Sequence, residues 1–229
     1  ENGYKALPEI RQLLFEEKYA EAEQMCQDAL MAERLPSGTN TYQTLGNINI
    51  VFDGFENYNG YVRELRLDSA FVRTSFYENQ IKHKRTVFSS AADNALVYLA
   101  EASKPGQISC SINLSRPGEG EKIETENGLI RMWQHLSNGN GVKYHTQLTV
   151  IPHGGNMEVE DSGLKISKAD KLELRLVAAT DYRGGNPSDT CRHYMDRLQS
   201  KEYREIFENH VTDYQEYFNR VSLLLPTTE

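Results

Sequence analysis

Side chains able to do acid–base chemistry are numerous in this sequence but scattered. The chain has 33 Asp and Glu residues, and they stand at the ends of predicted strands or on polar faces. A solvated charge or a turn cap is the simplest role for a carboxylate in such a position. Because their spacing singles out no catalytic pair, we expect no catalytic residue in this chain.

The pattern of histidines and cysteines does not favour metal chemistry either. His135, His145 and His153 fall on separate predicted strands without the close spacing of a metal motif. We expect His83 at the surface of its strand or half-buried there. The three cysteines are far apart and form no Cys-x-x-Cys pair: Cys26, Cys110 and Cys191. We therefore expect three reduced thiols, and neither a metal nor a cofactor.

Two places in the sequence carry side chains suited to holding a sugar substrate. Tyr42 and Gln43, in the segment TYQTLG, offer an aromatic ring and an amide at the approach to a buried strand. Trp133, the one tryptophan, alternates with Met132 and so occupies the opposite face of its strand. An exposed tryptophan beside a histidine is suited to be a carbohydrate platform. For all three candidates, packing within the fold is the alternative role.

Alternation of polar and apolar residues dominates the middle of the chain and indicates the elements that position these side chains. Residues 61–68, 70–77 and 80–88 form three such runs, separated by short turns. Further runs follow the same pattern, at 47–53, 95–101, 107–114, 122–126, 129–135, 141–152, 156–161, 164–168 and 172–179. Their Asn-Gly and Gly-Gly separators are strong hairpin signals. About twelve short strands predict a mainly β fold, a large antiparallel β-sandwich of the supersandwich type.

Helical periodicity is confined to the two ends of the chain. Residues 6–33 carry two apolar stripes around a polar break, which predicts an N-terminal helical hairpin. Residues 186–219 predict continuous C-terminal helix, followed by a short strand at 221–225. Since no linker-like segment interrupts the pattern, we expect a single β-sandwich domain with flanking helices over 1–225. Residues 226–229 then form the start of a linker.

The C-terminal helix carries aromatic and aliphatic side chains along one face. A one-sided apolar stripe of this length requires an apolar surface to lie against. We therefore expect the helix to dock on the domain itself, with Phe207 and Phe218 mostly buried.

Charge and hydropathy exclude two classes of partner. The formal net charge is −8 and no basic patch or basic helix is visible, which argues against nucleic acid and anionic membranes. No run approaches the roughly 20 apolar residues of a membrane-spanning helix. We expect no nucleic-acid partner and no membrane partner.

Four segments in order resemble a known family. They are LPEIRQLLFEEKYAEAEQM, YQTLGNINIVF, YVRELRLDSAFVRTSFY and HVTDYQEYFNRVSLLL. Together they are similar to the N-terminal domain of glycoside hydrolase family 95, whose members are 1,2-α-L-fucosidases and α-L-galactosidases common in gut bacteria. The resemblance extends from Leu7 to Leu225.

The resemblance implies a parent hydrolase in which this β domain precedes an (α/α)6 catalytic barrel. Family members usually begin with further strands, carrying a segment of the type LPIGNGRLG, which this sequence lacks. The family's catalytic Glu, Asn and Asp lie in the barrel, so no catalytic residue is carried over to this chain.

The implied role is a non-catalytic domain that packs against the barrel of the same parent chain and meets the glycan substrate only indirectly. The fragment is expected to be inactive alone. The resemblance also implies a periplasmic or extracellular parent, although this chain itself leaves the location open. The alternative is a free-standing carbohydrate-binding β-sandwich.

Overall fold

The computed structural model describes residues 3–31, 43–118, 120–139, 141–160 and 163–223. The contacts within the chain form two compact units, Glu1–Gln43 and Thr44–Glu229, and each is described by itself. The single domain over 1–225 stays a prediction.

The first unit is the predicted helical hairpin. A 3₁₀ turn leads into helix α1 (Leu7–Phe15), and α2 (Tyr19–Ala29) follows after a tight turn. Pro8 stands in the first turn of α1, where its missing N–H costs nothing. Glu17 takes a left-handed φ of 60° in the connection, which reverses the chain within three residues. Ile10 and Ala22 are the buried apolar side chains of the two helices.

The second unit holds twelve strands among its described residues, in two antiparallel sheets. A four-stranded sheet has the order β1-β6-β11-β10, and an eight-stranded sheet has the order β2-β3-β4-β5-β12-β9-β8-β7. The strands are β1 (Asn47–Phe52), β2 (Tyr58–Arg66), β3 (Phe71–Glu78), β4 (Ile81–Ser90), β5 (Ala95–Ala102), β6 (Ile108–Ser115), β7 (Lys122–Glu126), β8 (Leu129–His135), β9 (Lys143–His153), β10 (Asn156–Glu160), β11 (Gly163–Ala169) and β12 (Lys171–Thr180). The predicted mainly β fold with two antiparallel sheets is confirmed.

Turn residues set the short connections between these strands. A Cβ on Gly155 would lie 2.3 Å from the Ser167 carbonyl oxygen, and φ there is +70°, so only glycine fits between β9 and β10. Asn79 and Gln80 both take left-handed φ values at the β3–β4 hairpin, as a two-residue turn of the primed type requires. These turns bring the ends of sequence-adjacent strands together.

Two apolar cores lie on the two faces of the eight-stranded sheet. Its inner face packs against the four-stranded sheet through alternate residues of both, including Cys110, Ile112, Leu148 and Leu174. Its outer face is covered by the C-terminal helices through a second set of buried side chains: Phe71, Phe88, Val97, Val177, Cys191, Met195, Leu198 and Ile206. Alternation along the central strands therefore directs successive buried side chains to one core and then the other.

The helices of the second unit comprise a one-turn helix and two longer ones. The short α3 (Leu136–Gly139) joins β8 to β9, while α4 (Pro187–Gln199) and α5 (Tyr203–Phe218) follow β12. The prediction of continuous helix over 186–219 is therefore wrong, because the chain leaves the helix at 200–202. Lys201 pairs there with the buried Asp93 at 2.6 Å, and this tertiary contact overrides helix propensity.

The last described residues differ from the sequence expectation. Residues 221–223 form no strand, and 224 and 225 lie outside the described residues. Docking of α5 on the domain is confirmed by Ile206 and His210, which are buried. Phe207 is mostly buried and packs against the outer core, as predicted, whereas Phe218 is 42% exposed, so the prediction is wrong for Phe218. No helix within the described part of the chain is long and apolar enough to cross a membrane.

Candidate functional site

Trp133 lies at the edge of a cleft on the outer face of the eight-stranded sheet. The side chain is half-buried, whereas Met132 is fully buried in the inner core, so the face predicted from alternation is confirmed. Gln43 is exposed and belongs to the first unit, and Tyr42 lies outside the described residues. A substrate-binding role for these three residues stays a prediction.

Strand register builds the floor of the cleft around Trp133. In the ladder Lys122 pairs with Trp133 and Trp133 pairs with His145, so three strands present one row on the same face. The indole and imidazole rings are 5.9 Å apart and nearly parallel, at 26°. Sequence analysis placed His135, His145 and His153 on separate strands, but the last two both lie on β9.

The wall of the cleft is the first turn of α4. Asn186 caps the helix by accepting a hydrogen bond from the Ser188 N–H at 3.0 Å. Two contacts hold α4 on the sheet: the Cys191 thiol donates to the His145 carbonyl oxygen, and the Thr149 hydroxyl lies 3.2 Å from the Met195 sulfur. The wall is therefore fixed relative to the aromatic floor.

The loop from β12 to α4 is tied back to the sheet beside the cleft. The Lys143 N–H donates to the Asp181 carboxylate at 2.8 Å, and the Asp181 N–H returns a bond to the Lys143 carbonyl at 3.1 Å. Asp181 thus acts as a structural acceptor and does not line the cleft.

The cleft has a volume of about 750 Å³, and the described residues of its lining include no carboxylate. Lys122 and Lys143 supply positive charge, and Asn186 and Ser188 supply hydrogen-bonding groups at the opposite wall. Burial lowers the pKa of His145, and the nearby Arg131 and Arg192 lower it further. The imidazole is therefore neutral at pH 7 and can both donate and accept a hydrogen bond.

A second polar group adjoins the cleft, and two of its members, Gln134 and Tyr144, are part of the lining. The Arg116 guanidinium is 5.6 Å from the centre of the Tyr144 ring and donates to the Gln134 amide oxygen at 3.4 Å. Burial raises the pKa of the Tyr144 phenol. Its hydroxyl is buried without a hydrogen-bond partner among the described residues. An unpaired buried hydroxyl lowers the stability of the folded chain.

The described groups that line this cleft are suited to binding. A partly open indole face with amide, hydroxyl and imidazole groups around it matches the stacking and hydrogen-bonding needs of a sugar ring. Glycoside hydrolysis normally requires two carboxyl groups flanking the bond, and none is present among the lining residues that the structure describes. Within the described residues, no three His, Cys, Asp or Glu side chains converge as metal ligands would.

Sequence reasoning found Trp133 but missed its neighbours. Lys122 and His145 stand 11 positions before and 12 positions after it in the chain, and only the strand register brings them together. The Asn-Gly turn between β7 and β8 is the one sequence signal that fixes part of this register.

Comparison with known proteins gives one family and a consistent set of relatives. An alpha-L-fucosidase 2 from Arabidopsis thaliana is 27% identical over 256 aligned positions, covering 96% of this chain and 30% of the relative. A probable alpha-fucosidase A from Aspergillus niger is 27% identical over 239 positions, covering 96% of this chain and 29% of the relative. The chain therefore spans about 30% of the length of these curated relatives.

Among solved structures, one aligns with part of this chain. It is a putative kojibiose phosphorylase from human microbiome, with a TM-score of 0.48 and 12% identity over 75% of this chain and 27% of that chain.

The family assignment rests on a family model. The model of the glycosyl hydrolase family 65 N-terminal domain matches residues 1–185 of the 229-residue chain. With the fucosidase relatives, this match confirms the expectation of a glycoside hydrolase N-terminal domain. The chain belongs to the glycosyl hydrolase family 65 N-terminal domain family.

Proposed function

We propose that this chain is the non-catalytic N-terminal domain of a parent glycoside hydrolase of the α-L-fucosidase type, and that it packs against an (α/α)6 catalytic domain of the same parent chain. The observation that carries the proposal is the length of the match. The two fucosidase relatives align with 96% of this chain, yet the alignment covers only 30% and 29% of their own lengths. The larger part of such a parent is then free to hold the catalytic residues.

The lining of the cleft supports a non-catalytic role. Its described residues include an aromatic platform and hydrogen-bonding groups but no carboxylate, so they offer no acid to protonate a leaving group. Assignment to family 95, and a bacterial origin of the parent, rest on the resemblance of the four sequence segments.

Docking against a catalytic domain is tested by reassembly. The chain and the remainder of the parent protein are produced separately, mixed, and run on a size-exclusion column. We expect them to elute together as a 1:1 complex, and a chain unfolded by heat beforehand to elute apart. Separate elution of the two folded parts, with the remainder still active, would contradict the proposal.

The second candidate function is a free-standing carbohydrate-binding module, and the Trp133 cleft favours it. Trp133 is the one tryptophan of the chain, so its fluorescence reports ligands in this cleft directly. If the chain alone is a binding module, 2′-fucosyllactose should shift this fluorescence saturably. If the proposed accessory role is correct, the sugar should bind the parent protein but leave the fluorescence of the isolated chain unchanged.

A further inference from the structure

Among the described residues of the second unit, the inner face of the eight-stranded sheet is only partly covered, and a groove remains over β2, β3 and β4. Two adjoining recesses of about 280 Å³ and about 410 Å³ form this groove, and both are lined by Ile50, Phe52 and Arg85. Four strands face eight, and Tyr58, Tyr61 and Leu65 of β2 are each more than half exposed. We name this surface the Arg85 groove.

Arg85 is held in the groove by aromatic rings instead of an acid. Its guanidinium carbon lies 3.8 Å from the centre of the Phe52 ring, 5.2 Å from Phe55 and 5.1 Å from Phe76. Across the described part of the chain, this half-buried side chain forms no ion pair and no hydrogen bond. Ring faces stabilise the charge but accept none of the five directed N–H bonds that a guanidinium can donate.

A second arginine stands in the same cross-strand row. Arg63 pairs with Thr74, and Thr74 pairs with Arg85, so the hydroxyl lies between two cations with neighbours about 5 Å apart. Arg63 lines the smaller recess together with Thr74 and Arg85 and, among the described residues, also has no ion pair. Two arginines without an acid are unexpected in a chain whose net charge is −8.

Nearby acids do not neutralise this row. Asp53 is bound by Lys165 at 2.8 Å, and Glu64 faces Arg73 at 3.7 Å on the outer face of the sheet. Glu78 pairs with Tyr58 at the far end of the groove. The arginine end of the groove is therefore positive, and the opposite end carries a negative group.

The other end of the groove is an aromatic platform. Tyr61 stacks on the buried Phe76 at 6.5 Å and 23°, and Tyr58 meets the same ring at 5.8 Å. Both tyrosines are more than half exposed, so ring faces and hydroxyls are available to a ligand. Tyrosine rings of this kind hold the apolar face of a sugar while their hydroxyls bond to its polar groups.

We propose that the Arg85 groove binds an anionic sugar, with the sugar ring against Tyr58 and Tyr61 and its carboxylate or sulfate against Arg85, Arg63 and the Thr74 hydroxyl. Arginine donates paired hydrogen bonds to either acid. The site lies on the face of the sheet opposite the Trp133 cleft. It does not depend on the parent being a fucosidase.

The test compares three probes of matched length by titration calorimetry with the full 229-residue chain. A galacturonic acid trimer carries carboxylates, a sulfated galactose trimer carries sulfates, and a neutral galactose trimer carries neither. At least one acidic probe should bind about tenfold more tightly than the neutral one, and its Kd should rise with added salt. The two acidic arms show which group the arginines prefer. Equal affinity for all three probes, or no binding of either acid, overturns the proposal.

Substitutions separate a binding role from a purely structural one. Arg85→Met keeps an apolar side chain beside the rings and removes the charge, and it should weaken binding of the acidic probe at least about tenfold. Arg63→Met alters an exposed side chain. If thermal melting shows that Arg85→Met is unstable, the Kd of Arg63→Met is the test. Arg183→Met, at an exposed arginine outside the groove, should leave the Kd unchanged. An unchanged Kd in Arg63→Met overturns the proposal.

Discussion

At the scale of single residues, His83 shows how packing decides protonation. The imidazole is buried, lies parallel to Phe76 at 5.2 Å and meets the edge of Phe55 at 4.9 Å. The sequence expectation of a surface or half-buried position is therefore wrong, since pairing with both β3 and β5 and cover by Phe55 enclose it. Burial lowers the pKa of His83, and Arg85 lowers it further.

This shift predicts a pH dependence of stability. Because the pKa of His83 is lower in the folded chain than in the unfolded one, the unfolded chain binds more protons between those two values. Stability is then full above about pH 6.5 and declines as the pH falls below it. In urea titrations at about pH 7.5 and about pH 5.5, His83→Phe should lose less stability on acidification than the wild type. His193→Gln, at an exposed position, should keep the wild-type slope; the same slope in His83→Phe would refute this account.

The cysteines allow a second prediction at this scale. No disulfide joins them, as expected from their spacing. Burial raises the pKa of Cys110 and of Cys191 to about 12, so neither forms much thiolate at neutral pH. An alkylating reagent should modify half-buried Cys26 first in the native chain and all three thiols in denaturant. Equal native rates, or fewer than three thiols in denaturant, would speak against this.

Alternation of side chains along β8 was enough to predict the face of the sheet on which Trp133 lies. It was not enough to predict which side chains surround it. The alternation with Met132 correctly put the indole on the outer face. Its partners Lys122 and His145 come from two different ladders, and cross-strand register depends on turn geometry and on burial of the whole face. For the same reason, the sequence did not predict the cross-strand row of Arg63, Thr74 and Arg85.

At the scale of elements, α5 docks by its first half. Ile206 is fully buried in the outer core, and the His210 imidazole lies 3.1 Å from the carbonyl oxygens of Ser69 and Ala70. Tyr217 and Phe218, near the end of the helix, are exposed. Helical periodicity predicts one apolar face but does not show how far along that face the partner surface extends.

Substitutions along α5 test this docking. Ile206→Ala should cost about 2–5 kcal/mol of unfolding free energy, because it empties a fully buried site. Glu208→Ala removes only the exposed pair with Arg204 and should cost at most about 0.5 kcal/mol. Urea titrations of both variants measure the difference. Similar small losses in the two would show that α5 is not docked.

A buried ion pair on β12 connects the eight-stranded sheet to α4. The Arg175 Nε donates to the Glu173 carboxylate at 2.6 Å, and its guanidinium also donates to the Leu198 carbonyl of α4. Both side chains are about 95% buried. Arg175→Met leaves the acid without this partner and should cost about 3–5 kcal/mol.

A double-mutant cycle checks this pair. The double variant with Glu173→Gln no longer buries a charge, so it should be less destabilised than the sum of the two single variants. Strict additivity would mean that the two side chains do not interact.

Element types and many boundaries were predictable because alternation and turn signals are local. The strands 122–126 and 129–135 match their predicted bounds, with Asn-Gly between them. The order of strands was not predictable, since β12 lies between β5 and β9, and β11 lies between β6 and β10. β10 and β11 form a hairpin, but β12 is distant in sequence from β5, and β11 is distant from β6; only burial of both sheet faces selects these distant neighbours.

At the scale of the whole molecule, the second unit carries two separate recesses, one on each face of its large sheet. The Trp133 cleft is on the outer face of the large sheet, and the Arg85 groove is on the inner face. No recess described here has two carboxylates in its lining. The proposed non-catalytic role therefore assigns bond cleavage to the rest of a parent chain.

The most direct test of this central claim is turnover of an aryl α-L-fucoside by the purified 229-residue chain, measured beside the parent protein at equal molar concentration. The account predicts release of the aryl group by the parent, and none above a matched blank by the chain, because the chain supplies binding groups without the acid–base pair. Turnover by the chain alone would contradict the non-catalytic role. Absence of turnover by the parent would contradict the fucosidase-type assignment.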